Sequence, residues 1–181
     1  MSSYSFSALR EADLDLVRRW LLEPHVSRWW DDGAKTPYPD AAIEEYREAI
    51  QGKDPTYHYL AQIDGRSAGM FQHYRIGDDP EYAEALALGE DAIGIDLFIG
   101  EAELVGQGHG PKMLRQFLRD VAFPFHGIDV CVIGPSVTNL LAIRAYEKAG
   151  FRSLKEVRVP PEPDPEFLMR LTAEELRSLQ R

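Results

Sequence analysis

Apolar positions recur along this chain with two periods, near 2 and near 3.6, and the switches between them mark its elements. Tyr4 to Ala8 alternates apolar and polar side chains as a short strand does, whereas Ala12 to Leu22 places Leu14, Val17, Trp20 and Leu21 on one helical face, closed by Pro24. A second helix is expected from Pro39, a residue suited to the first helical position, through Ile43, Tyr46 and Ile50 to the breaker Gly52. Tyr57 to Ile63 and Ser67 to Ile76 read as strands flanking Asp64-Gly65, a dipeptide that accepts the positive φ of a tight hairpin turn.

Beyond an acidic stretch, Ala92 to Gly100 predicts another strand, and Pro111 opens an amphipathic helix carrying Met113, Leu114, Phe117, Leu118 and Val121. Asp129 to Ile133 returns to the strand pattern. Asn139 suits the cap of a helix from Leu140 to Ala149, and Gly150 suits its C-terminal stop. Strand patterns at Phe151 to Val159 and Phe167 to Leu171 bracket a proline-rich loop, Pro160 to Pro165, and Thr172 with Glu175 forms a capping box for a last helix. A hairpin mixed with crossover helices implies an α/β (α+β) fold: one mixed, mostly antiparallel sheet of about six to seven strands flanked by about four to five helices. The expectation is a single domain over residues 1–181.

Composition adds exclusions. The 181 residues, 44% hydrophobic, suffice for a proper core, and no apolar run approaches the roughly 20 residues of a membrane helix. The first residues carry no targeting pattern, and the single cysteine, Cys131, lies in an apolar strand pattern where it cannot form an internal disulfide, so a reducing cytoplasm is expected. A net charge of −10 without a basic cluster argues against a nucleic-acid surface. From Ile76 to Pro111 there is no Lys or Arg, while Asp78, Asp79, Glu81, Glu84, Glu90, Asp91, Asp96, Glu101 and Glu103 all fall there. That is either a solvated acidic surface or a field that attracts a cationic substrate.

The segment Leu97 to Leu114 reads as strand, loop and helix, with Gly106, Gly108 and Gly110 in the loop. Successive glycines let backbone N–H groups converge at a helix N-terminus, which would hold a pyrophosphate without a basic side chain; the same run also serves as a plain flexible turn. It is neither a P-loop nor a dinucleotide fingerprint. Next comes N-x-x-A-x-x-x-Y-E-K-x-G-F, matched by Asn139, Ala142, Tyr146, Glu147, Lys148, Gly150 and Phe151.

Together these two motifs resemble the GNAT superfamily of N-acetyltransferases, and the layout covers nearly the whole chain. Val105 departs from the pattern, standing where the family usually has Gln or Arg. The resemblance implies the GNAT fold and acetyl-CoA as cosubstrate. It implies that amides of the turn Gly106, Gln107, Gly108, His109 and Gly110 hold the pyrophosphate, that Leu97, Phe98 and Ile99 meet the pantetheine and thioester through their backbone, and that Asn139, Ala142 and Tyr146 flank them. Tyr146 could protonate the leaving thiolate, and Asp96, on the same strand, could fix or deprotonate the acceptor amine. A packing role for Tyr146 and a backbone-capping role for Asp96 remain alternatives.

For the acceptor, H-V-x-x-W-W (His25 to Trp30), Q-x-Y (Gln72, Tyr74) and G-I-D (Gly94 to Asp96) resemble the aminoglycoside 6′-N-acetyltransferases, whose substrates are polycationic sugars. By that resemblance Asp96 engages the reacting amine and Trp30, Gln72 and Tyr74 line the acceptor cleft, with Glu81 and Tyr82 as further candidates. Several of those enzymes carry an aspartate near the end of the strand preceding the Asn-containing helix, where this chain has Ile133-Gly134-Pro135-Ser136. Siderophore-type hydroxylysine acyltransferases share part of the pattern but usually have His at the position of Asp96. A non-catalytic acetyl-CoA-binding module would tolerate loss of Asp96 and Tyr146, which are both present. His25 and His73 could act as acid–base groups or be structural, and no spacing suggests a metal site. The expected partner is a small cationic amine, not nucleic acid or membrane, and the protein a monomer or homodimer.

Overall fold

The computed structural model describes residues 2–30, 38–160 and 164–179. Its seven strands form one sheet in the order β1-β2-β3-β4-β5-β7-β6, where β1 is Tyr4–Ala8, β2 Tyr57–Ile63, β3 Arg66–Arg75, β4 Ile93–Ile99, β5 Val130–Ile133, β6 Arg152–Val157 and β7 Glu166–Thr172. β4 and β5 are parallel, while β1–β2, β2–β3, β5–β7 and β6–β7 are antiparallel, which makes the sheet mixed. At the β2–β3 turn, Asp64 (φ 50°) and Gly65 (φ 79°) adopt the left-handed conformations expected of a two-residue hairpin. Asp64 also accepts the Ser3 N–H at 2.7 Å, tying β1 to the turn.

The chain divides into two compact units, Met1–His73 with Asp96–Gln107, and Tyr74–Ile95 with Gly108–Arg181. In the first, helix α1 (Leu14–Leu21) buries Leu14, Val17, Trp20 and Leu21, the face read from the spacing. They join Val26, Ile43, Tyr46, Leu60, Met70 and Phe98 in one core. Gly100 is there because any Cβ would collide with the Trp20 indole. In the second unit, Ile76, Leu86, Ala92, Val132, Val157 and Leu168 cluster, and Met113, Leu114, Phe117 and Leu118 are buried along the helix after the glycine loop. Cys131 is a buried thiol.

Two helices replace what the pattern suggested as irregular chain. Pro24 does not simply end α1; it is the first residue of α2 (Pro24–Trp30), since a fixed φ that cannot continue one helix is preorganised to start another. The acidic stretch contains α4 (Pro80–Leu86), capped by Asp79, whose side chain accepts the Tyr82 N–H at 3.0 Å. Between them, α3 spans Asp40–Ile50, so Pro39 caps it from outside rather than opening it. Helix α5 (His109–Phe117) begins two residues before Pro111 and runs through a π-helical turn, Leu118–Ala122, into α6 (Phe123–His126). The wide turn lies directly upstream of Pro124, whose ring would clash with a carbonyl four residues back in a straight α-helix. Helix α7 (Leu140–Ala149) stops at Gly150 (φ 108°) as expected, and α8 (Ala173–Ser178) has its Thr172–Glu175 capping box. Of the proline-rich loop, residues 161–163 lie outside the described residues. Among the described residues no helix is long and apolar enough to cross a membrane.

Candidate active site

The sequence-predicted site residues fall into groups that each unit positions by its own means. In the first unit, Asp96 is half-buried on β4 and accepts the Gln72 side-chain N–H at 3.0 Å. The Gln72 amide, a neutral donor, orients the carboxylate. Gln72 faces His58 across the β2–β3 ladder. Burial pushes the His58 imidazole down to about 4, only partly opposed by Asp54 and Gln72, so it is neutral at physiological pH. Its ring lies 4.6 Å from that of Tyr46. The Tyr46 hydroxyl, whose pKa burial raises, accepts the Trp30 indole N–H at 2.7 Å. Trp30 in turn meets Phe98 edge-on, 4.8 Å between ring centres. Thus four of the predicted residues, Trp30, Gln72, Asp96 and Phe98, belong to one network, completed by His58 and Tyr46. Sequence reading missed His58 because a lone histidine on an alternating strand has no local signature.

The two histidines read as acid–base candidates, His25 and His73, make structural contacts. His25 donates from Nε2 to the Ile99 carbonyl at 2.9 Å; the partner is acceptor-only, which sets the tautomer. That fastens α2 to the end of β4 at one of the residues expected to meet the cofactor. His73 is fully buried with the Tyr57 and Tyr59 rings stacked on it at 5.3 and 5.4 Å.

The turn 106–110 has the backbone that pyrophosphate binding requires. Gly106 (φ 78°) and Gly108 (φ 79°) are left-handed, and Gly108 caps α5 with no side-chain hydrogen bond and no acidic residue in the first turn. Gly106, Gln107 and Gly108 are exposed and a Cβ at Gly106, Gly108 or Gly110 would meet nothing within 4 Å. Open space, uncapped amides and the positive end of a nine-residue helix fit an anionic diphosphate.

In the second unit, the Asn139 side chain accepts the Ala142 N–H at 3.2 Å, so it caps α7 itself. Tyr146 lies half-buried along that helix with its ring 6.3 Å from Phe151. Tyr74 packs its ring over Gly94, where a Cβ would overlap it. The two-residue spacings of Q-x-Y and G-I-D therefore match: Gln72 meets Asp96 and Tyr74 meets Gly94. Tyr74 stands 6.4 Å from the Tyr82 ring, and Tyr82 donates to Glu166 at 3.2 Å. Glu81 is exposed in the first turn of α4.

The acidic stretch is less bare than its sequence. Asp91 pairs with Arg75 at 2.7 Å, Glu90 with Arg170 at 2.8 Å and Glu101 with Arg19 at 2.6 Å, all cations from outside the stretch. All three carboxyls are held below their ordinary range, Glu101 chiefly by the Trp20 indole N–H and Glu90 and Asp91 chiefly by their arginines.

A family model described as "Acetyltransferase (GNAT) domain" matches residues 10–159. The aminoglycoside N(6′)-acetyltransferase type 1 of Klebsiella pneumoniae is 28% identical over 162 residues, covering 89% of this chain and 80% of that protein. An N-hydroxyputrescine acetyltransferase of Acinetobacter baumannii is 30% identical over 107 residues, covering 57% of this chain and 47% of that one. Among solved structures, the aminoglycoside acetyltransferase AAC(6′)-Ib in complex with coenzyme A superposes with a TM-score of 0.80 at 27% identity, covering 99% of this chain and 100% of that chain. Its complex with coenzyme A and kanamycin gives 0.79 at 26% identity, with coverage of 99% and 100%.

Proposed function

Because the chain belongs to the GNAT acetyltransferase family, we propose that it passes the acetyl group of acetyl-CoA to a primary amine of a polycationic small molecule, the 6′-amine of an aminoglycoside. Acetyl-CoA supplies the activated thioester carbon. The amides of Gly106, Gln107, Gly108, His109 and Gly110 would hold its pyrophosphate, and Leu97, Phe98, Ile99, Asn139 and Ala142 its pantetheine. This chain's own residues then bind the amine and move protons. Asp96 binds the acceptor ammonium and orients the amine. An ordinary aspartate is a weak base towards ammonium, so the proton leaves by way of water once the amine is positioned. A backbone N–H of Leu97 or Phe98 donates to the developing oxyanion, and the phenol of Tyr146, protonated at neutral pH in an ordinary tyrosine, donates to the leaving sulfur. Trp30, Gln72, Tyr74, Glu81 and Tyr82 contact the sugar.

The observation that carries this reading is the Gln72–Asp96 hydrogen bond at 3.0 Å, a carboxylate aimed by a neutral partner. Incubation of the protein with acetyl-CoA and kanamycin or tobramycin is expected to release thiol and to give one new amide, at the 6′ nitrogen by NMR. An amide at another nitrogen, or no product, overturns it.

A further inference from the structure

We propose that Glu166, held by Tyr82 beside Tyr74, forms a second ammonium subsite that binds a non-reacting amine of the acceptor, an inference that rests on the polycationic acceptor proposed above. Glu166 is the first residue of β7, and its carboxylate lies over the backbone of Gly134 at the end of β5, where a Cβ would overlap Oε2. Only glycine at 134 leaves room for it. The start of β7 is fixed there by two backbone contacts: the Phe167 N–H donates to the Pro135 carbonyl at 2.7 Å, and Glu166 bridges Ser136.

Tyr82 donates its hydroxyl to Glu166 Oε2 at 3.2 Å, and is itself placed by the Asp79 cap and Pro80 at the start of α4. Tyr74, 6.4 Å from Tyr82 between ring centres, is seated on Gly94. Two glycines thus make room for a carboxylate and a phenol that a third side chain joins. A carboxylate held by one half-buried phenol, with a second half-buried phenol ring 6.4 Å from the first, is chemistry for an alkylammonium group, which gains a charge-assisted hydrogen bond.

The test compares kanamycin with 6-amino-6-deoxyglucose, which carries one amine, as acceptors for wild type, Glu166→Gln and Gly134→Ala. The ratio of kcat/KM for kanamycin to that for the monoamine is expected to fall roughly tenfold or more in Glu166→Gln, the size of one lost charge-assisted contact. Gly134→Ala, which displaces the carboxylate without neutralising it, is expected to lower the ratio as well. A ratio unchanged in Glu166→Gln overturns the subsite, and so does a fall in Gly134→Ala alone. Calorimetric binding of kanamycin to the coenzyme A complex separates the two proposals. Binding that weakens in Glu166→Gln supports the subsite even where wild type forms no product, whereas equal binding, or none to wild type, refutes it.

Discussion

The carboxylate of Asp96 and the glycine turn at 106–110 are built by opposite means. Asp96 owes its position to side chains: Gln72 holds it at 3.0 Å, His58 backs Gln72, and Tyr46 links His58 to Trp30. The turn owes its shape to backbone alone, with φ near 78° at two glycines and no side-chain cap on α5. Backbone amides suit a partner that is always a diphosphate. Side chains suit an acceptor that varies, because a charge can be re-sited from another strand, as Glu166 does over Gly134. The contrast separates a fixed half of the chemistry from an adjustable one.

The largest expected effect breaks the side-chain half. Asp96→Asn preserves shape and the Gln72 contact surface while removing the charge, and kcat is expected to fall by roughly 10²-fold or more, the range for loss of a contact that orients the reacting group. Steady-state kinetics with kanamycin read it out; an unaltered kcat removes Asp96 from the mechanism and makes the network around it structural.

A somewhat smaller effect sharpens the same half by exposing what its buried histidine costs. Burial disfavours the His58 imidazolium, so the folded protein takes up that proton near pH 4, whereas the unfolded chain does so near the ordinary value of about 6.5. Stability tied to this group is therefore full above about pH 6.5 and is lost as pH falls towards 4. Between pH 7 and 4, wild type is expected to lose about 2–3 kcal/mol more unfolding free energy than His58→Gln, by denaturant titration. Parallel pH profiles for the two proteins would mean that the imidazole is not held neutral by the fold.

How far each half was legible in sequence follows from how it is built. The glycine turn, the Asn139 cap and the Asp64-Gly65 hairpin are local and announce themselves by residue type, because few residues adopt those backbone angles or accept those N–H groups. Q-x-Y and G-I-D were legible as spacings, but their mutual fit, Gln72 on Asp96 and Tyr74 on Gly94, needed the pairing of two strands. His58 and Glu166 were not legible at all: one is the second residue of its strand in an ordinary alternation, and the other follows Pro165 in a loop-like run. Their roles come from partners 14 and 84 positions away, Gln72 and Tyr82. The helix at Pro80 was legible in principle, as Asp79-Pro80-Glu81 is a capping signature, but the density of acidic residues reads first as solvated chain.

The smallest effect tests the backbone half, and it works because two of its glycines differ. Gly108 needs its left-handed φ of 79°, while Gly110, inside α5, does not, and neither has an atom within 4 Å of where a Cβ would stand. A methyl group at either position therefore adds similar bulk, and only at Gly108 does it add backbone strain, about 1–2 kcal/mol. If amide geometry is what grips the diphosphate, Gly108→Ala should raise the KM for acetyl-CoA about tenfold and lower thermal stability, whereas Gly110→Ala should leave both closer to wild type. Isothermal titration of coenzyme A against both variants checks this directly. Equal losses would mean that open space above the turn, rather than the angle of its N–H groups, is what the cofactor uses, and the division between a backbone-built and a side-chain-built half would fail at that point.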